Sequence, residues 1–300
     1  DAGASDAADD SAAPPACDGP CPPEELATGL LQATSIAVDQ TNVYFAIESN
    51  SGTVYQCPKT GCVGAPIELG NGYATAIALD AARVYWGDFS GGKLVACTIG
   101  GCASQPTTLA PNQTQIRGVS IDGVSLFWST AGAIHTCAPG ACTPAPVATG
   151  QGLVIDVAAD QARVFWVSVA QKTVYACPAV GCTTPLALGP GTHDVFAHGG
   201  KVYWVNGTTK TVVSCAAAGC SGTPITIGSS LSPSHPVTDG KHVYWRDDLL
   251  DEIYRCPVSG CAPGPEVLAT KQKGQPGGQM ALDGLYLYWT TSSGVYRLRK

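Results

Sequence analysis

Six times along the chain two cysteines recur as C-x4-C. The leading cysteines sit at 57, 97, 137, 177, 215 and 256, in steps of 40, 40, 40, 38 and 41 residues. A repeat of about 40 residues belongs to solenoids and propellers, whose units bury their apolar faces only against neighbouring units. No helical period appears in any unit. In the unit 33–70 the stretches 33–38, 42–47, 53–57 and 66–69 each have strand composition, and Gly, Asn and Ser punctuate the gaps between them. The second stretch carries Val43-Tyr44-Phe45. That signature returns as Val84-Tyr85-Trp86, Leu126-Phe127-Trp128, Val164-Phe165-Trp166, Val202-Tyr203-Trp204, Val243-Tyr244-Trp245 and Leu287-Tyr288-Trp289, making seven in all. Four strands per unit, repeated radially, predict an all-β seven-bladed β-propeller. Regular placement of an aromatic on every second strand points to packing between blades.

The chain ends fit the same count. The seventh unit stops after its third strand, Gly294-Val295-Tyr296-Arg297-Leu298, and lacks a cysteine pair. The N-terminal segment supplies what is missing: Cys17 and Cys21, then Glu25-Leu26-Ala27-Thr28, which resembles the fourth strand Pro146-Val147-Ala148-Thr149. Residues 17–31 are therefore expected to form the outer strand of the last blade, within a single propeller spanning 17–300. Closure of this kind removes exposed sheet edges.

The fourteen cysteines form seven close pairs: Cys17/Cys21, Cys57/Cys62, Cys97/Cys102, Cys137/Cys142, Cys177/Cys182, Cys215/Cys220 and Cys256/Cys261. One short-loop disulfide is expected in each blade, between its third and fourth strands, where facing Cα atoms lie within disulfide range. A zinc site would need two pairs to converge on one ion, which separate blades do not allow. Paired cysteines in this number imply an oxidising, extracellular or outer-surface location. No apolar run approaches the roughly 18 residues that would cross a bilayer, so no transmembrane segment is expected. The net charge is −7 and no basic stripe interleaves with aromatics, so nucleic acid is not an expected partner.

The order of a strand ending in Asp, then Val-Tyr-Trp, a glycine turn and Ile/Val-Tyr resembles the YWTD propellers of the low-density-lipoprotein-receptor type. The nearest local forms are Tyr288-Trp289-Thr290-Thr291 and Tyr85-Trp86-Gly87-Asp88. The resemblance covers roughly residues 33–300 at the level of the repeat. It departs from the family in blade number, seven against six, and in the Thr-Asp half of the motif. It implies a non-catalytic extracellular binding propeller. The Cys-Pro-x-x-Gly-Cys decoration also resembles propellers of bacterial secreted proteins and surface lipoproteins.

Aligning the units on the second-strand motif and stepping back eight residues gives the ring Ser35, Ala76, Gly118, Asp156, Asp194, His235 and Gln279. One residue earlier stand Thr34, Thr75, Arg117, Ile155, His193, Ser234 and Gly278. Arg117, Asp156, His193, Asp194 and His235 are thus expected on one side of a channel mouth. There they are a hydrated polar lining, a ligand or metal site, or an acid–base pair. The acidic turn Asp247-Asp248-Leu249-Leu250-Asp251-Glu252 is expected to be a solvated hairpin tip rather than a Ca²⁺ loop. No nucleophile elbow, HExxH helix, P-loop or dinucleotide fingerprint is present, so no catalytic residue and no cofactor is assigned.

Residues 1–16, DAGASDAADDSAAPPA, hold no large apolar side chain and are expected to be a tail or tether. An extended tail can dock on a neighbour, and head-to-tail docking that fails to close builds a filament. The expectation is a surface module that binds protein or glycan. The alternatives are a homo-oligomeric or filamentous structural subunit and a metal-assisted hydrolase or lyase at the channel mouth.

Overall fold

The computed structural model describes residues 22–30, 32–48, 52–62, 64–220, 222–270 and 278–300. They form seven four-stranded antiparallel sheets, and in six of these the strands lie side by side in chain order. Blades 1 to 6 span residues 33–71, 74–110, 119–149, 154–190, 193–229 and 233–269. Blade 7 takes Met280–Leu282, Tyr286–Thr290 and Gly294–Arg299 from one end of the chain and its outer strand, Glu24–Thr28, from the other. The closing pair runs in the register Glu25↔Tyr296 and Thr28↔Gly294. Arg297 fastens it by pairing with Glu24 and by donating to the Lys59 carbonyl of blade 1. The seven-bladed architecture expected from the repeat is the one observed. The tail 1–16 and the pair Cys17/Cys21 lie outside the described residues.

The second strand of each blade is buried on both faces, which is why it reads as an unbroken apolar run rather than an alternating one. Tyr44 of blade 1 packs in the cluster that holds Trp86 of blade 2, while Phe45 packs against Tyr288 of blade 7. The tyrosine faces forward and the indole backward around the ring. All six tryptophans are fully buried. Five of the seven rings at this position stack on their cross-strand partner, at interplanar angles between 17° and 26°. The indole needs a small residue on the outer strand of the preceding blade. At Gly228 an added Cβ would stand 2.6 Å from the Trp245 ring and 3.0 Å from the Cys256 sulfur, so a side chain there would displace the seam.

The expected bridges form in blades 1 to 6: Cys57–Cys62, Cys97–Cys102, Cys137–Cys142, Cys177–Cys182, Cys215–Cys220 and Cys256–Cys261, with Cα separations from 4.9 to 5.6 Å. Their placement corrects the expectation in one respect: the second cysteine does not face the first across a strand pair. Cys62, Cys102, Cys182, Cys220 and Cys261 stand in the loop before the fourth strand. Cys142 lies inside the fourth strand, Ala141–Thr149, but is not the register partner of Cys137. The cause is the length of the spacer. In blades 1, 2, 5 and 6 the four intervening residues are themselves a β-turn, closed by the N–H of Gly61, Gly101, Gly219 or Gly260 donating to the carbonyl of Pro58, Thr98, Ala216 or Pro257. The chain thus reaches its second cysteine before it has rejoined the sheet. Gly61 and Gly260 turn with φ of 108° and 100°, a region glycine enters without a steric cost. The loop position has a use. Cys62, Cys102, Cys142, Cys182, Cys220 and Cys261 are half-buried, each against an apolar cluster drawn from two adjacent blades. Among the described residues no cysteine is free.

The turns between first and second strands divide the ring. In blades 1, 2, 6 and 7 one aspartate closes the turn. Asp39, Asp80, Asp239 and Asp283 each accept two backbone N–H groups with Oδ1 and the hydroxyl of Tyr44, Tyr85, Tyr244 or Tyr288 with Oδ2. Blades 4 and 5 instead turn through two residues with positive φ, Gln161-Ala162 and Gly199-Gly200, the geometry of a tight type I′ hairpin. Blade 3 keeps the aspartate, Asp122, but has Phe127 where the tyrosine would be.

Candidate functional site at the channel mouth

The first strands surround a central channel of about 670 Å³. Along its length the walls are apolar, with Ile36, Ile77, Val157, Val195, Val237 and Met280 among the lining residues. The two ends differ. One end is formed by the clamped turns, where Lys300 bonds both Asp239 and the Asp283 carbonyl, and Lys59 reaches Asp283 from blade 1 at 2.6 Å. The disulfide loops lie towards this end. At the other end, the mouth, the first strands begin.

At the mouth the first strand is bulged in blades 1, 2, 4, 5 and 6. A bulge adds a residue to one strand and re-aims its side chain. Asp194 and His235 sit in these bulges with φ of 52° and 49°, which is uncommon for residues with a Cβ. Asp156, Asp194, His235 and Gln279 all line the channel. His193 and Asp194, although consecutive, bond each other, Nδ1 to Oδ2 at 2.8 Å. The other oxygen of Asp194 stands 3.5 Å from His235 Nε2. Asp194 thus bridges two imidazoles.

Each carboxylate also ties blades together. Asp156 Oδ2 accepts the N–H of Val195 in blade 5, and Asp194 Oδ2 accepts the N–H of His235 in blade 6. The two acids titrate in opposite directions. Burial, and then the neighbouring charge of Asp194, push Asp156 up to about 7. Burial alone would raise Asp194 as well, but the charges of His235 and His193 and their hydrogen bonds outweigh it and hold its carboxyl well below the usual range. His193 is raised: burial opposes its charge, and the Asp194 carboxylate overcomes that. Two acids pushed apart in one cavity are the pattern that separates a proton holder from a charged partner.

Of the five residues expected at the mouth, four come together: Asp156, His193, Asp194 and His235. Arg117 does not join them. Its guanidinium lies over the Phe89 ring of blade 2, 4.8 Å from the centroid. Position 117 precedes the channel-facing position, and its side chain leaves the channel for an aromatic neighbour.

Arg246 is a residue of this end that the column of first-strand positions does not contain. Arg246 is 1% exposed; it donates to the Thr290 carbonyl and to Asp251, with Asp248 3.5 Å from its Nε. The repeat holds the signal. The residue after the aromatic is Ala46, Gly87, Ser129, Val167, Val205, Arg246 or Thr290, and only one of these is charged. The acidic turn 247–252 is the tip of a hairpin, as expected, but it is not solvated throughout. Asp247 is buried and accepts the N–H groups of Ser232, Leu249 and Leu250. Of the described residues, no three His, Cys, Asp or Glu side chains are placed to hold a metal ion together.

No family model matches the chain, and no curated protein matches it in sequence. Solved structures do match in fold. A virginiamycin B lyase from Staphylococcus aureus superposes with a TM-score of 0.76 at 10% identity, covering 93% of this chain and 99% of that one. A chain of the mitotic checkpoint complex gives 0.70 at 17% identity, covering 96% of each. A chain of the nidogen/laminin complex gives 0.52 at 17% identity, covering 62% of this chain and 76% of that one. At these identities the likeness establishes the β-propeller fold alone.

Proposed function

We propose that this chain is a non-catalytic propeller of an extracellular or outer-surface setting that binds a protein or glycan through the mouth on blades 4 to 6. One observation carries the reading. The ionisable groups of the ring stand together on that side, and the loops of blades 4 and 6 expose leucines: Leu153, Leu231, Leu249 and Leu250, the third of these 67% exposed. Apolar side chains beside a polar cleft mark interaction surfaces. The disulfides agree with an oxidising compartment. The repeat's likeness to YWTD propellers, and the presence of propellers in the nidogen/laminin and checkpoint assemblies, support binding as the role of this scaffold. The test is an array of glycans and extracellular proteins probed with the wild-type chain and with Leu249→Asp/Leu250→Asp. Ligands lost in the variant support the reading; ligands indifferent to it place binding elsewhere.

A second reading has its own observation. Asp156, which holds a proton near neutrality, and the Asp194–His193 pair are an acid and a base in one cavity. The reading is a hydrolase or lyase acting at the mouth, and turnover of an array ligand that His193→Ala abolishes would favour it over binding alone.

A further inference from the structure

We propose that the channel mouth takes a protonated primary amine on an apolar stem, the form of a lysine side chain of a protein partner, with Asp156 and Asp194 as its counter-charges. This rests on the mouth being the binding face. The charges around it come from every blade that meets there. Blade 4 brings Asp156, and blade 5 brings His193 and Asp194. Blade 6 brings His235 and the turn carrying Asp248 and Asp251, whose charges are set against Arg246. Blade 7 brings neutral Gln279. Blades 1, 2 and 3 bring Ser35, Ala76 and Gly118, and Arg117 is turned onto Phe89.

Two carboxylates therefore stand together in one cavity, and burial beside Asp194 pushes the proton affinity of Asp156 up to about 7. An ammonium group can take that proton's place, bringing a positive charge and three donors. Acceptors are at hand. Each oxygen of Asp156 takes a single backbone N–H, leaving lone pairs free. Nδ1 of His235 is shielded from solvent and has no partner. Beside these groups the channel wall is apolar, with Val157, Val195 and Val237 among its residues, and a methylene stem packed against it would shed water. A neutral sugar would bring no charge to this site.

The probe is hexylammonium, titrated calorimetrically into the intact protein, with hexanol as its uncharged counterpart. We expect binding about tenfold tighter at pH 8 than at pH 5.5, because ligand and proton compete for Asp156. Protons should be released on binding, seen as a heat that changes with the ionisation enthalpy of the buffer. Hexanol should bind at least about tenfold more weakly. Asp156→Asn should lose the pH dependence; the proton-release measurement on wild type needs no variant and stands if that one does not fold. Equal binding of hexanol, affinity indifferent to pH, or no binding of hexylammonium overturns the proposal. If hexylammonium fails while array ligands remain sensitive to Leu249→Asp/Leu250→Asp, the amine is wrong and the binding face survives. If hexylammonium binds and no array ligand depends on those leucines, the amine site stands and the face does not.

Discussion

Blades 7, 1 and 2 and blades 4 and 5 are copies of one unit, yet they hold their polar residues at opposite ends of the channel. On the closure side each inner turn is clamped by an aspartate and a tyrosine, and Lys59, Lys300 and Arg297 bridge blade to blade around the seam. The mouth there is lined by Ala76 and Gln279, neither of them charged. On the far side the clamp is gone, replaced by two-residue turns, and the charged residues stand at the mouth. Blade 6 is the border and carries both, Asp239 at one end and His235 at the other. The seam joins two chain ends and closes the longest loop in the molecule, so extra cross-blade bonds there offset the entropy of closure. The far side is continuous chain and is free to carry a site. Closure and the proposed site occupy different sectors of one repeat.

The sharpest way to break this comparison is to remove a clamp. Asp283→Ala would leave the Tyr288 hydroxyl, the Lys59 ammonium and two backbone N–H groups without their partner. Buried groups stranded in this way cost about 1–3 kcal/mol each, less where water reaches them. We expect a loss of about 3 kcal/mol in denaturant unfolding, against about 1 kcal/mol for Asp160→Ala in blade 4, where only the Gly200 N–H is stranded. Equal losses would mean that the seam needs no reinforcement. Acid gives a second view. Burial alone would raise Asp283, but Lys59, Tyr288 and the backbone donors bring it down to about 2. Its contribution is complete above the carboxyl's unfolded value and is lost as pH falls through the folded one. Wild type should therefore weaken between about pH 4 and pH 2, and Asp283→Ala should weaken less over that range.

The disulfides should not distinguish the two sides. All six have the same sequence separation of 5, so the chain-entropy effect is the same, about 2 kcal/mol per bridge. Cys97→Ala/Cys102→Ala in blade 2 and Cys177→Ala/Cys182→Ala in blade 4 are expected to lower stability by similar amounts in thermal unfolding. A markedly larger loss in blade 4 would show that the unclamped side depends on its bridge.

Blade number, strand order and the burial of the second-strand aromatic were legible, because each is written seven times and noise averages out over copies; closure was legible from the one strand that the seventh unit lacks. The cysteine pairing was legible for the same reason, but not that a four-residue turn would leave Cys62 and its counterparts short of the fourth strand. The clamp was half legible. The aspartate at the strand end was visible, but its bond to a tyrosine five residues later depends on the turn bending the strand back. The mouth was legible as a column, for Asp156, Asp194 and His235 stand at equivalent positions. What the column could not hold was direction. Arg117 and His193 occupy the same column, yet a bulge with positive φ at Asp194 turns His193 onto its neighbour, while Arg117 packs on an aromatic ring. Bulges shift register by one residue, and alternation in a strand reverses with every such shift.

The smallest effect concerns the mouth itself. Burial and Asp194 place Asp156 near 7 in the folded chain, whereas in the unfolded chain it ionises at an ordinary carboxyl value near 3.9. Between those limits the unfolded chain has released a proton that the folded chain keeps. Stability from this group is therefore complete below about pH 4 and falls as pH rises towards 7. An asparagine side chain cannot ionise and has no such slope. Asp156→Asn should thus gain on wild type by roughly 1 kcal/mol between pH 4.5 and pH 7.5, after allowance for the solvent that reaches the open mouth. At the low end the asparagine should be the less stable of the two, since it replaces one acceptor of two backbone N–H groups with a donor. The measurement is the difference in Tm between the two proteins across that range. A constant difference would show that Asp156 is ionised throughout and only a tie between blades, and the far side of the ring would then differ from the closure side in geometry but not in the work its acids do.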